Sequence, residues 1–361
     1  VAVDNGFMVF NRENYPLLCA LFDHLGIHSY PTDMSFSASF DRGRLEYAGT
    51  DLNTLFGQRK NLVNKRFWGM LFSIMRFNRL AQKALSEALP AHMGMGEFLD
   101  RHGFSETFRR HYLYPMAAAI WSCPRDQIAR FPAVSFLRFF ANHGLIRLVD
   151  RPQWLTVAGG SSTYMDALIA DLGRRAQLNA PVAKVERGAH GADLIDADGA
   201  RQSFDEVVFA CHSDQALALL ADPSPSERHL LGAIPYQANR VLLHRDESLM
   251  PRERRVWSSW NYLSRSAQDE AQAVSVTYWM NSLQPIPKDD PLFVTLNSTR
   301  HIREDLIYDQ TTFRHPVFDT EAEAVAAEVE AAAQENIDAF VESKNVNKRR
   351  ATEYKRIITA W

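Results

Sequence analysis

Thr156-Val157-Ala158-Gly159-Gly160-Ser161-Ser162-Thr163-Tyr164 opens the passage that decides the fold, and the passage runs on to Asp222. The double glycine starts a helix from Ser162 to about Gly173, with Tyr164, Ala167, Leu168 and Leu172 at helical spacing. Two short strands follow, Val182–Arg187 and Ala192–Asp196, with Gly188 and Gly191 in their turn. Asp198-Gly199 is a second tight turn. Glu206–Ala210 is apolar along its length, the pattern of a buried parallel strand. Helix, hairpin and strand in this order are α/β packing, and by themselves they fit many α/β proteins.

Outward from that passage, 361 residues suffice for two domains. A 46% hydrophobic, 23% charged composition is that of an ordinary globular protein, and a net charge of −3 gives no global field for nucleic acid. Cys19, Cys123 and Cys211 are widely spaced and odd in number. They have no metal-ligand spacing, so free thiols in a reducing, cytoplasmic compartment are expected. No signal peptide and no bilayer-spanning apolar run is present in these residues. Valine at position 1 suggests a processed or partial product.

Val1–Phe10 reads as strand-like, and Asn14–Leu25 as a helix closed by Gly26. Short strands are expected at Ile27–Tyr30, Ser35–Phe40 and Leu45–Tyr47. Asp51 to Ala133 is mostly helical. Within it, Leu52 to Ser86 has no acidic residue, while Arg59, Lys60, Lys65, Arg66, Arg76, Arg79 and Lys83 are interleaved with aromatic residues. Asn61 to Leu85 therefore suits a peripheral contact with an anionic membrane, or a helix packed on the domain with its basic groups solvated. Pro223 to Asn297 reads as an antiparallel sheet with strands Arg240–His244, Arg255–Tyr262, Ala273–Met280 and Leu292–Leu296. In the third strand Tyr278 shares one face with Val274, Val276 and Met280; Trp279 shares the other with Ser275 and Thr277. The mixed face of Trp279 suits a cavity wall and the uniform face of Tyr278 suits packing. From 320 onward the chain turns Ala/Glu-rich and then basic, and it is expected to lie outside the fold.

Asp4-Asn5-Gly6-Phe7, His24-Leu25-Gly26-Ile27 and the Gly159-Gly160 passage resemble, in type, order and spacing, the flavin-dependent amine oxidase superfamily of monoamine oxidases, protoporphyrinogen oxidases and phytoene desaturases. Longer stretches, such as Asp33-Met34-Ser35-Phe36-Ser37, Tyr114-Pro115-Met116-Ala117 and Tyr278-Trp279-Met280-Asn281, are similar to a bacterial NAD/FAD-binding, amine oxidase-like group. That group occurs with cyclopropane-fatty-acid-synthase-like enzymes. The resemblance covers about Val1 to Asp319. It implies FAD as cofactor, with Gly6, Phe7 and Met8 beside the isoalloxazine ring. Gly159 and Gly160 would be in the cofactor domain, Val182 under the adenine and His212 near the pyrophosphate. A glycine suits the first place because backbone must approach a flat ring. The resemblance also makes the aromatic sheet one wall of a substrate cavity, with Trp260, Trp279 and His143 as its candidates. The plainer readings are an aromatic core, a helix-end histidine and a strand-end cap at His212.

The implied fold is α/β plus α+β. Residues 1–50 and 151–222 would form the remnant of a FAD-binding Rossmann-like domain, 51–150 and 223–319 a mixed substrate domain, and 320–361 a tail foreign to the family. The strand–GxGxxG–helix unit that holds a dinucleotide is absent from this sequence; Gly94-Met95-Gly96 lacks the third glycine and the preceding strand. Weak FAD binding by the chain alone is therefore expected. No catalytic triad, carboxylate pair or metal set stands out, which suits flavin chemistry, where the ring takes the hydride. The functional expectation is an FAD-dependent oxidoreductase acting on an apolar or lipid acyl substrate. The alternative is a binding or membrane-peripheral protein without the cofactor.

Overall fold

The structure, a computed structural model, describes residues 2–317 except 88, 91–92, 122–123, 148–149, 190, 267–274 and 299, together with 325 and 328. From the amino end, β1 (Phe10–Asn11) leads into α1 (Pro16–Leu25), β2 (Ser29–Pro31), β3 (Phe36–Phe40) and β4 (Leu45–Ala48). A helical stretch follows: α2 (Leu52–Leu55), α3 (Lys65–Ser86), α4 (Met95–Arg101), α5 (Glu106–Phe108), α6 (Tyr114–Trp121), α7 (Arg125–Arg130) and α8 (Ala133–Asn142). Then come β5 (Trp154–Val157), α9 (Ser162–Leu172), β6 (Val182–Gly188), β7 (Gly191–Asp196) and β8 (Arg201–Phe204). The remainder is α10 (Ser213–Leu219), α11 (Pro225–Gly232), β9 (Tyr236–His244), β10 (Trp260–Leu263), β11 (Val276–Trp279), β12 (Phe293–Leu296) and β13 (Ile307–Pro316). The chain divides into two units, residues 1–170 with 237–315 and residues 171–236 with 316–361.

The first unit holds a small sheet, β1-β5-β2, and a mixed seven-stranded sheet, β13-β9-β12-β11-β10-β3-β4. In the small sheet Phe10 pairs with Leu155 and Ser29 with Val157, both antiparallel. Phe10, Phe22 and Val157 are buried beneath it against α1. The strand expected over Val1–Phe10 is not formed: of the described residues there, Phe10 alone joins a ladder, with Asn11 after it, because the chain bends at Asn5 and Gly6 and Asp4 bonds elsewhere.

β3 and β4 form one edge of the large sheet. β3 pairs in parallel with β10, Phe36 opposite Trp260 and Ala38 opposite Tyr262, so the sheet is mixed. The cause is shared burial. Ala38, Phe40 and Tyr47 need the same apolar layer that Tyr262, Val276 and Tyr278 face. That layer is closed by α3, α4, α6 and α8, through fully buried Phe77, Phe98, Phe136 and Phe140. Each such side chain contributes about 2 kcal/mol relative to exposure. Gly96 serves this packing: a Cβ there would stand 3.2 Å from the Ala129 carbonyl of α7.

The opposite face of the sheet is buried but polar. Ser37 donates to Asn261 Oδ1 at 2.7 Å, Asn261 Nδ2 donates to the Thr277 carbonyl, and the Thr277 and Thr295 hydroxyls lie 2.8 Å apart. His244 Nε2 meets the Thr295 hydroxyl at 2.7 Å, and His244 Nδ1 accepts the Asp246 N–H. These side chains partner one another or nearby backbone, which is the condition for burying them.

In the second unit β6, β7 and β8 form an antiparallel sheet. Gly191, at φ +149°, is required there, since a Cβ would fall 2.3 Å from the Phe204 carbonyl oxygen. Arg187 of β6 binds Asp222 and the Glu227 carboxylate of α11. Glu206–Ala210 is not a buried parallel strand: it joins no described ladder, and Val208 is 90% exposed. An apolar run becomes a buried strand only with neighbours on both sides, and no described strand flanks this one. Val325 is buried and the Glu328 carboxylate lies 4.0 Å from His229, so the chain beyond 320 meets this unit at that point. The other residues from 318 lie outside the described set.

Candidate functional site

The double-glycine loop and the amino-terminal turn meet in the first unit, and Asp4 joins them. Its carboxylate accepts the Ser161 N–H with both oxygens, at 2.9 and 3.1 Å. It also accepts Gln284 Nε2 at 3.0 Å, while the Asp4 N–H donates to Gln284 Oε1 at 2.9 Å. Gly160 adopts φ +86°, and a Cβ there would stand 3.3 Å from Asp4 Oδ1. The loop therefore needs glycine both for its turn and for the approach of the carboxylate.

This junction brings Gly6, Phe7 and Met8 beside Gly159 and Gly160. The Ser161 hydroxyl donates to the Phe7 carbonyl and the Thr156 hydroxyl to the Met8 carbonyl. Gly6 is exposed, with open space where a Cβ would stand, and Phe7 is 43% exposed. Met8 packs on the rim of the main aromatic core, as do Trp260 and Phe139. An open backbone edge beside an apolar rim fits the flat end of a flavin.

The aromatic candidates separate. Trp260 pairs in register with Tyr278, edge to face at 5.0 Å, on the side of the helical core. Trp279 therefore points to the opposite side, where it meets Trp257 at 5.5 Å and lies under Lys288 Nζ at 5.7 Å. The two tryptophans do not line one wall. The small polar residues on the Trp279 face pair with one another instead of facing a cavity. Tyr278 is buried, and burial pushes its phenol up. Both indole Nε1 atoms are buried without a hydrogen-bond partner among the described residues. His143 ends α8: its Nδ1–H donates to the Phe139 carbonyl at 3.0 Å and its ring stacks on Phe139. Burial pushes its pKa down, partly offset by that bond.

Val182 and His212 lie in the second unit. Val182 is half-buried at the start of β6. His212 precedes α10 and stacks on Tyr236 at 4.3 Å; it follows no strand. An open groove of about 680 Å³ in this unit is lined by Val185, Arg187, Val207, Phe209, Leu220 and Tyr236, among others. Among the described residues no cluster of His, Cys, Asp or Glu is placed to hold a metal, and no helix is long and apolar enough to cross a membrane.

Sequence reasoning missed Gln284, a lone glutamine in a loop that gives no local signal. It also missed the role of Asp33, whose carboxylate accepts the Ser259 hydroxyl at 2.8 Å and the Ser282 hydroxyl at 3.2 Å. Asp33 did stand within one of the stretches that carry the resemblance.

Residues 1–299 match the family model of flavin containing amine oxidoreductases. A Mycobacterium tuberculosis protein named as a flavin-containing monoamine oxidase, AofH, is 27% identical over 215 residues, 58% of this chain and 41% of that protein. The chain thus spans about two-fifths of the length of that relative. Among solved structures, cyclohexylamine oxidase from Brevibacterium oxydans is similar with a TM-score of 0.58 and 13% identity, over 90% of this chain and 79% of its own. A fatty acid isomerase from P. acnes is similar with a TM-score of 0.58 and 13% identity, over 88% and 75%.

Proposed function

The chain belongs to the flavin-containing amine oxidoreductase family, and from that premise we propose that it acts in FAD-dependent oxidation of an apolar, acyl-type substrate. The observation that carries the reading is the meeting of Gly6–Met8 with the Gly159–Ser161 loop at the rim of an aromatic core. A bound flavin supplies the acceptor for a hydride equivalent, so the protein needs to bind, orient and exclude water.

The residues divide those tasks. Asp4, through Ser161 and Gln284, holds the turn rigid, and Gly6 leaves the backbone edge free. Met8 and Trp260 present apolar surface, which excludes water from the reacting carbon. Trp260 Nε1–H, buried without a hydrogen-bond partner among the described residues, is available to orient a substrate oxygen. Trp260, not Trp279, is thus the assigned cavity tryptophan. Residues of the sheet on the Trp260 side, such as Phe36, Tyr262, Val276 and Tyr278, are apolar or aromatic, which suits an acyl chain.

The test is anaerobic incubation of the chain with excess FAD and either a long-chain fatty acid or a primary amine. Bleaching of the flavin's visible band by the fatty acid alone is expected. Bleaching by the amine alone overturns the substrate class. No change in flavin absorbance or fluorescence on adding the protein overturns the cofactor site.

A further inference from the structure

The outer face of α3 combines two properties that a solvated helix does not need. The first is exposed apolar surface. Val63, just before the helix, is 85% exposed, Phe72 61%, Leu62 50% and Trp68 39%. At 3.6 residues per turn, Trp68, Phe72, Met75 and Arg79 fall within roughly 60° of one another around the axis. Phe67, Met70, Phe77 and Ala81 occupy the other side and are buried in the core. The apolar stripe is thus a second one, pointing away from the protein.

The second property is charge. Seven basic residues and no acidic one lie between Leu52 and Ser86, in a chain whose net charge is −3. Lys65, Arg66 and Arg79 are exposed, and none of them has an ion-pair partner among the described residues. Arg76 is held by the His102 and Gly103 carbonyls and lies over the Phe104 ring, so its charge is also uncompensated by a carboxylate.

The stripe is held in shape. Trp68 Nε1 donates to the Leu62 carbonyl at 2.9 Å, and its ring packs between Phe56 at 5.5 Å and Phe72 at 6.3 Å. Leu62, Val63 and the Phe72 ring are therefore presented as a fixed ridge beside the amino end of α3.

We propose that this face of α3 is a docking surface for an anionic lipid membrane, with Leu62, Val63, Trp68 and Phe72 entering the interface and Lys65, Arg66 and Arg79 meeting the headgroups. Charge selects the occupant. A second copy of the chain would bring two strongly basic faces together, which repel. Aliphatic Leu62, Val63 and Met75 offer no ring for a base to stack on, so a nucleic acid leaves the most exposed part of the ridge unused. A bilayer interface takes both features, since apolar side chains enter the acyl boundary while basic ones stay at headgroup level. A membrane-docked protein would draw an apolar substrate from the bilayer, but the docking stands whether or not the oxidase reading holds.

The experiment is flotation of the full chain with phosphatidylcholine vesicles, with and without about one-third phosphatidylglycerol, at about 0.1 M and about 1 M salt, where the screening length falls from roughly 10 to 3 Å. Binding to the anionic vesicles alone, weakened by salt, is expected. The pair Lys65→Glu and Arg79→Glu should lower the partition coefficient by at least about tenfold, each basic group near such a surface being worth roughly fivefold. The pair Val63→Ser and Phe72→Ser should lower it about tenfold as well, through lost apolar insertion. All four side chains are exposed, so an unchanged circular dichroism melt confirms that the variants fold. Equal binding to neutral vesicles, no binding, or unaffected variants overturn the proposal. Binding of a single-stranded oligonucleotide in place of vesicles, or a Phe72-dependent dimer in place of both, also overturns it.

Discussion

Replacing Asp4 by alanine should loosen the double-glycine loop. Two donors reach its carboxylate, the Ser161 N–H and Gln284 Nε2. A hydrogen bond to a charged group contributes about 1.5–3 kcal/mol net, and at this half-buried place the lower value applies. Asp4→Ala should therefore cost about 3 kcal/mol. Gln284→Ala removes one bond to the carboxylate and the neutral bond from the Asp4 N–H, together about 2.5 kcal/mol. The double variant should lose less than the sum by about 1.5 kcal/mol, because one bond is counted in both singles. Urea unfolding followed by tryptophan fluorescence suits the measurement. Trp68, Trp121, Trp154, Trp257, Trp260 and Trp279 all lie in the unit that contains Asp4. Amide exchange at Ser161 should accelerate about tenfold in Asp4→Ala, which removes its acceptor. An additive double variant, with coupling under about 0.5 kcal/mol, would show that Asp4 and Gln284 are neighbours without mutual dependence.

Burial pushes the His244 imidazole down to about 4 from its usual 6.5. Its contribution to stability is complete above pH 6.5 and is lost as pH falls from there toward 4, about 3 kcal/mol in all. His244→Gln keeps a donor for Thr295 and an acceptor for the Asp246 N–H, so the wild-type minus variant stability should slope through that window; a flat difference refutes the assignment. Trp260→Phe should slow anaerobic flavin reduction while changing stability by no more than about 1 kcal/mol, since no intramolecular hydrogen bond is lost. Trp279→Phe should leave reduction unchanged, and the reverse pattern would return the cavity to the other face of β11.

What the sequence disclosed was local. The helix ended by Gly26, the Gly159-Gly160 loop and the hairpin of β6 and β7 each declare themselves within a few residues, whereas the bend at Asn5 and Gly6 was hidden in a run that reads as a strand. The links between distant parts had no such signal. Asp4 and Gln284 are 280 positions apart, and neither side chain announces the other. Alternation along β11 revealed two faces but not that one packs on the helices and the other joins a buried polar network. Thr277 resembles a ligand-orienting group until Thr295 is seen opposite it. Apolar composition at Glu206–Ala210 states a demand for neighbours without naming them, and with Val208 exposed that demand stays unmet within the described residues.

The parallel ladder of β3 with β10 sets a timetable for the nascent chain. Ser37 and Asn261 are 224 positions apart, and at about 5–20 residues per second a ribosome needs roughly 11–45 s to make the second after the first. Through that interval Phe36, Ala38 and Phe40 have no central partner, and β3 and β4 can form at most an isolated hairpin. The hairpins of β6, β7 and β8, whose strands pair within a few residues of one another, are made meanwhile. The aromatic half of the molecule is thus completed late, after a long-range closure that is slow by nature. During synthesis it is this hairpin, more than any part of the finished protein, that needs shielding from other chains.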